Sequence, residues 1–383
     1  MIMRNVTGVM NPATRRIWLA AVLCLTVLSS PLRANASEID SLDIKIGQML
    51  MVGFRGITAP DISPIGKHIR DLHLGGVVLF DFDVEKKEYG RNIVSPAQVQ
   101  KLTGELQERS RIPLFIAIDQ EGGLVCRLKT RAGFPPNVSP RQLGRLNSLD
   151  STRMYTDLIA RSLRILGVNV NFAPVVDVDI NPDNPVIGKL GRSISSDPKT
   201  VSRHARTIIE SLHARSVLSA LKHFPGHGSS KADSHLGFVD VSSTWSRREL
   251  IPYIDLIGEN LPDMIMTAHI YNSKLDQTRP ATLSRDIIDG LLRKELGYDG
   301  VVISDDMMMK AIADHYGLEQ AIKNAVNAGV DILLFANNTY TFDPAMPEKA
   351  FSILKRLVEK GEIPMARIEK SYGRIMKLKQ TMD

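Results

Sequence analysis

Ser216-Val217-Leu218-Ser219-Ala220-Leu221 runs directly into Lys222-His223-Phe224-Pro225-Gly226-His227-Gly228, and Ser229-Ser230-Lys231-Ala232-Asp233-Ser234-His235 follows. The first six residues are short, largely apolar and free of turn signals, as a buried strand requires. The next fourteen carry three histidines with lysine and aspartate, spaced by two glycines and a proline, which suits neither a helix face nor an ordinary strand. The spacing therefore predicts a buried strand over 216–221 that delivers Lys222 and His223 at its end, into a loop built for chemistry. Asp233 and His235 stand two apart, so in an extended segment their side chains point the same way and the carboxylate can hydrogen-bond one imidazole nitrogen. Such a partner fixes the tautomer and raises the histidine pKa, giving a general acid usable near neutrality.

Two plainer readings compete. Three histidines and an aspartate could bind zinc, but no pair stands in the helical His-x-x-x-His arrangement and no cysteine lies nearby. A merely solvated polar loop is the other, and a Lys-His pair leaving a buried strand counts against it.

The same pattern recurs along the chain. Residues 75–80 (GGVVLF) lead into Asp81-Phe82-Asp83, 113–118 (PLFIAI) end in Asp119-Gln120-Glu121-Gly122-Gly123, and 168–176 (VNVNFAPVV) stop at Asp177. Further on, 263–268 (DMIMTA) end in His269, 300–303 (GVVI) in Ser304-Asp305-Asp306, and 330–335 (VDILLF) in Ala336-Asn337-Asn338. Residues 45–54 (KIGQMLMVGF) form a first strand or helix-to-strand unit. Helical patterns lie between the runs: one opened by the cap Ser95 and by Pro96 at the first helical position, others over 152–166 and 198–215, and one from about Lys310. Eight apolar runs without alternation, in about 340 residues, argue for a parallel sheet covered on both faces. That number of βα units predicts an α/β fold, a (β/α)8 TIM-type barrel in a single domain, with a doubly wound open sheet as the alternative. Asp119, Asp177, Lys222-His223, His269 and Asp305 all fall at the C-terminal ends of the runs, the face on which barrels build their sites, and this favours the barrel.

The first 36 residues read differently. Arg15-Arg16 precede an apolar run over 17–28, and Ala34-Asn35-Ala36 follows, the order of a secretory signal peptide cleaved before Ser37. The mature domain would then be 37–383, exported to the periplasm or secreted, and membrane-associated only if the segment stays as an uncleaved anchor. Its loss removes four arginines and no acidic residue, so the formal charge falls from +6 to +2. The basicity is a targeting feature, and with no basic cluster interleaved with aromatics, nucleic acid is not an expected partner. Cys24 would leave with the signal, so Cys126 alone remains and no internal disulfide can form.

No G-x-G-x-x-G and no phosphate loop occurs, so the convergent carboxylates, histidines, lysine and Arg127 or Arg192 suit a hydrolase acting on a polar neutral substrate. Glycoside chemistry needs one carboxylate as nucleophile or base and a second group as acid. Asp305, emerging from a buried strand, is the nucleophile candidate, with a helix N-cap as its plain alternative. Asp306 should point elsewhere and be structural, while Asp233 and His235 supply the acid.

Nearly the whole mature chain resembles the β-N-acetylhexosaminidase branch of glycoside hydrolase family 3, the NagZ-type enzymes. The likeness is carried by IGQMLMVGFRG, GGVVLF, IDQEGG with Arg127, NFAPVVDV, KHFPGHGSSKADSH, IMTAHI with PATLS, and GVVISDDMMMKAI. It implies a (β/α)8 barrel, a retaining mechanism, and neither metal nor other cofactor. Asp305 matches the nucleophile, and His235, assisted by Asp233, matches an acid/base on a mobile loop. Asp119, Arg127, Arg192, Lys222 and His223 match positions that hold a terminal N-acetylglucosamine. The implied partner is a glycan ending in β-linked N-acetylglucosamine, from peptidoglycan fragments or chitooligosaccharides, and a monomer is expected. Leu124 and Cys126 depart from the arginine and polar residue often found there, which predicts a changed rim around a retained site. Export is a second departure from cytoplasmic recycling members. A glycoside phosphorylase and a non-catalytic wall-binding protein stay open as alternatives.

Overall fold

The computed structural model describes residues 41–234 and 236–382; the expected signal segment and His235 lie outside the described residues. Eight strands form the centre: β1 (Leu50–Gly53), β2 (Gly76–Leu79), β3 (Phe115–Ile118), β4 (Val170–Asn171), β5 (Leu218–Phe224), β6 (Met264–Thr267), β7 (Val301–Ser304) and β8 (Leu333–Phe335). Each pairs in parallel with its neighbours in sequence from β1 to β7, and β8 pairs with β1. The remaining seam, β7 to β8, is held by a bridge between Ile303 and Ile332 and by the Ser304 N–H donating to the Ile332 carbonyl at 2.9 Å. The sheet thus closes on itself, which settles barrel against open sheet.

Every residue of these strands is buried, because side chains facing inward fill the barrel and those facing outward meet helices. Backbones approach closely where small residues allow it: a Cβ on Gly53 would lie 1.9 Å from the Ala336 carbonyl oxygen. The covering helices form where capping chemistry places them. Ser95 Oγ accepts from the Gln98 N–H at 3.3 Å ahead of helix Pro96–Glu108, and Asp197 accepts from the Thr200 N–H at 2.9 Å ahead of helix Pro198–His213. Ser148 caps a helix over Leu149–Ile165, which therefore begins one turn earlier than the apolar periodicity alone indicates. Among the described residues no helix is long and apolar enough to cross a membrane.

Two local expectations are corrected, and one open choice, a strand or a helix-to-strand unit over 45–54, is decided for the latter. Lys222, His223 and Phe224 are not loop residues but the last part of β5, because Val175 bridges Lys222 on one side and Thr267 pairs with Phe224 on the other. The apolar run 168–176 makes a regular ladder only at Val170–Asn171; Pro174, which has no N–H to donate, interrupts it before the bridge at Val175. Residues 45–54 split into the end of a helix, Leu42–Gln48, and β1. Two small hairpins that periodicity did not indicate, Phe82–Asp83 with Glu88–Tyr89 and Gln120–Gly122 with Val125–Cys126, follow β2 and β3.

Candidate active site

A cleft of about 800 Å³ opens at the C-terminal ends of the strands, within the size range of small-ligand sites. Its lining includes Asp119, Arg127, Arg192, Lys222, His223, Asp233 and Asp305, so the described members of the expected site all meet in one place. Parallel strands put their C-terminal ends on one rim, and the residue leaving each strand reaches the barrel mouth.

A buried ion cluster builds one wall. Lys222, only 2% exposed, donates from Nζ to Asp119 Oδ1 at 2.7 Å and pairs with Glu121 Oε1 at 2.6 Å. Arg192 grips Glu121 with both prongs, Nε to Oε2 at 2.8 Å and Nη2 to Oε1 at 2.7 Å, while Arg127 Nη2 donates to Asp119 Oδ2 at 3.3 Å. Burial pushes the Asp119 and Glu121 carboxyls up, but the neighbouring cations outweigh it and hold both below the usual range. Burial likewise disfavours the Arg192 charge, and Glu121 more than restores it. Lys222, Arg192 and Arg127, interlocked with Asp119 and Glu121, fix this wall before any ligand arrives, which suits hydroxyl and amide-carbonyl oxygens that must be oriented without rearrangement.

Glu121 was not among the expected site residues. It lies below the cleft surface and acts through Lys222 and Arg192. Its position two residues beyond Asp119, in the hairpin that follows β3, is the signal that could have found it. Gln120 positions Arg127: its Oε1 accepts from the backbone N–H groups of Arg127 and Leu128, each at 3.0 Å. Cys126, in the second strand of that hairpin, is buried and accepts from Gln120 Nε2 and Asn137 Nδ2, whereas Leu124 is exposed. The changed rim thus leaves Arg127 in the cleft.

His223 is oriented from behind by Asp177, whose Oδ2 lies 2.6 Å from Nδ1. Arg192 Nη2 meets the other nitrogen, Nε2, at 3.2 Å. A guanidinium can only donate, so Nε2 accepts and Nδ1 carries the proton. Asp177 also accepts from the His227 N–H at 2.7 Å; burial opposes its ionisation, but the two histidines hold it down at about 2. Asp177 is a second supporting residue that was legible only as a polar strand end.

Asp305 follows β7 and is partly exposed in the cleft, with Oδ1 accepting from the Asp306 N–H at 2.8 Å. Asp306 also lines the cleft, but its Oδ1 is held by the backbone, accepting from the N–H groups of Ala336 at 2.9 Å and Met308 at 3.1 Å. His269 pins the same corner through Nε2, 2.9 Å from the Asp306 carbonyl. The corner carrying Asp305 is therefore tied to both β6 and β8. Asp81 adds an unanticipated buried carboxyl to the cleft wall. Burial pushes it up and the Arg127 charge opposes the rise. Among the described residues no three acidic, histidine or cysteine side chains are grouped to hold a metal ion.

The comparisons with known proteins agree with this geometry. The family model "Glycosyl hydrolase family 3 N terminal domain" matches residues 41–378. β-Hexosaminidase A of Pseudoalteromonas piscicida is 35% identical over 375 residues, covering 87% of this chain and 60% of its own length. β-Hexosaminidase LpqI of Mycobacterium tuberculosis is 33% identical over 344 residues, covering 88% of this chain and 82% of its own. Among solved structures, a glycoside hydrolase family 3 β-N-acetylglucosaminidase from Paenibacillus sp. superposes with a TM-score of 0.81 at 37% identity, covering 90% of this chain and 63% of that one. The chain thus spans less than two thirds of the length of some of the relatives it matches. With the barrel, its C-terminal cleft and a family match across the described residues, the chain belongs to glycoside hydrolase family 3.

Proposed function

We propose that this chain is a retaining, exo-acting β-N-acetylhexosaminidase that releases terminal β-linked N-acetylglucosamine from peptidoglycan fragments or chitooligosaccharides. The observation that carries the reading is the convergence of Asp305, Asp233 and the Asp119–Lys222–Arg192–His223 wall on one cleft. Relatives named β-hexosaminidase and a structural neighbour titled β-N-acetylglucosaminidase support the sugar class. In this reading Asp305 attacks the anomeric carbon while the aglycone oxygen takes a proton from His235, assisted by Asp233. The glycosyl-enzyme ester is then opened by water, from which His235 takes a proton. Asp119, Arg127, Arg192, Lys222 and His223 hold the hydroxyls and acetamido group of the sugar. Residues 1–36 are taken as an export signal, which N-terminal sequencing of the secreted or periplasmic protein would test.

The deciding assay is release of 4-nitrophenol from the β-N-acetylglucosaminide and from the β-glucoside by residues 37–383, with and without phosphate. Preference for the N-acetyl sugar without a phosphate requirement is expected. Activity confined to the glucoside would overturn the substrate class, and turnover that needs phosphate would make the enzyme a phosphorylase. His235→Ala should lower kcat/KM by about 10²–10⁴-fold on glycosides with poor leaving groups and far less on nitrophenyl glycosides, which need no proton. Equal losses on the two would sink the acid role.

A further inference from the structure

The turn that leaves β5, Gly226 to Ser229, leads into the segment carrying Asp233, and three successive backbone N–H groups of this turn end on two buried carboxylates. His227 donates to Asp177 Oδ1 at 2.7 Å; Gly228 and Ser229 both donate to Glu249 Oε2, at 2.9 and 3.3 Å. Glu249, in the turn Arg247–Leu250, is 1% exposed. Contact is close: Gly226 has φ +118°, and a Cβ there would lie 2.6 Å from Glu249 Cβ. The carbonyl side of the turn is tied separately, with Asn184 Nδ2 donating to the His227 carbonyl at 2.7 Å and Asn181 Nδ2 to that of Ser230 at 2.8 Å. Glu249 Oε1 has no hydrogen-bond partner among the described residues, and neither do His227 Nδ1 and Tyr253 Oη nearby in the fold.

We propose that Glu249 is a positioning residue for the proton-donating segment: its carboxylate holds the root of that segment and so sets how Asp233 and its neighbours meet the departing oxygen. This rests on the reading of Asp233 and His235 as the acid. Glu249 does not line the cleft and would act only through the Gly228–Ser229 backbone.

Glu249 changes charge near neutrality. Burial first, and the Asp177 charge in addition, push it up to about 7 against the opposing Ser229 and Gly228 hydrogen bonds. Asp177 stays ionised, being held at about 2, and His227 stays neutral because burial lowers it to about 4. Tyr253 stays neutral because burial raises it. Charge-assisted hydrogen bonds are stronger than neutral ones, so the root tightens as pH rises through the Glu249 value and loosens below it. Stability runs the other way. The folded chain binds this proton more tightly than the unfolded chain, so stability from this group falls as pH rises from the ordinary glutamate value to about 7.

The test compares wild type with Glu249→Gln, in pH profiles of kcat/KM on diacetylchitobiose, whose leaving sugar needs the proton, and on the 4-nitrophenyl glycoside, which does not. Expected is a loss of about 10-fold on chitobiose and under about 2-fold on the nitrophenyl substrate. The acid limb near neutrality should vanish from the chitobiose profile, and above neutrality the melting temperature should be unchanged or raised. Equal losses on both substrates, no loss on either, or a persisting acid limb would overturn the proposal. Should the variant not fold, amide-exchange protection of Gly228 and Ser229 in the wild type decides, expected to rise through neutrality; a flat profile would overturn it. Wild type that cleaves neither substrate would instead refute the glycosidase reading, with the amide measurement still reporting on the anchor.

Discussion

Asp305→Ala is expected to lower kcat on the β-N-acetylglucosaminide by about 10⁴-fold or more, an increase of about 5.5 kcal/mol in the barrier. In the proposed mechanism the alanine removes the atom that bonds the anomeric carbon, and three neighbouring carboxylates are already engaged. Asp119 and Glu121 are committed to Lys222, Arg127 and Arg192, and Asp306 Oδ1 is spent on the Ala336 and Met308 N–H groups. Binding should survive, because the wall proposed to hold the sugar does not use Asp305; titration calorimetry with N-acetylglucosamine would show a dissociation constant within a few-fold of wild type. External azide should enter the vacated space and displace nitrophenolate from the β-glycoside, giving the α-glycosyl azide. An alanine variant that hydrolyses at the wild-type rate would remove Asp305 from the mechanism.

The second large effect lies below the cleft. Glu121→Gln keeps the shape of the side chain but removes the charge that neutralises Arg192 and shares Lys222. Glu121 has a fully buried side chain, so the two cations cannot recruit water in its place. Breaking a buried pair of this kind costs about 3–5 kcal/mol, because the partner is left charged and uncompensated. Lys222 retains Asp119, which places the expected loss toward the lower end. Urea unfolding would register it as a lower midpoint at unchanged slope. The activity should fall by about 10²-fold as Arg192 and Lys222 shift relative to the sugar. An unchanged midpoint would mean that the cluster is not held by charge.

These two residues illustrate what a linear reading can and cannot find. Asp305 was visible because a polar residue directly after a buried apolar run can only be at a strand end, and strand ends in a parallel barrel face one rim. Asp119, Lys222 and His223 were visible for the same reason. Glu121, Asp177 and Glu249 were not assigned, because each works by bonding to a residue 46–101 positions or 20–21 positions away, and no spacing rule connects such pairs. Even the secondary structure failed where tertiary pairing decided it: Lys222 to Phe224 looks like a loop by composition but is held in β5 by Val175 and Thr267.

The order of apolar runs, each followed by a polar residue, determined by itself that this chain builds a covered parallel sheet with its chemistry at the C-terminal ends, since burial on both faces needs continuous apolar strands and leaves charge only where they stop. Only the tertiary structure decided that the sheet closes, through the seam between β7 and β8, and which carboxylates hold which cations. Closure and pairing are contacts between segments far apart in the chain, and a hydrogen bond or ion pair is specified by distance in space, about which neighbouring residues carry no information.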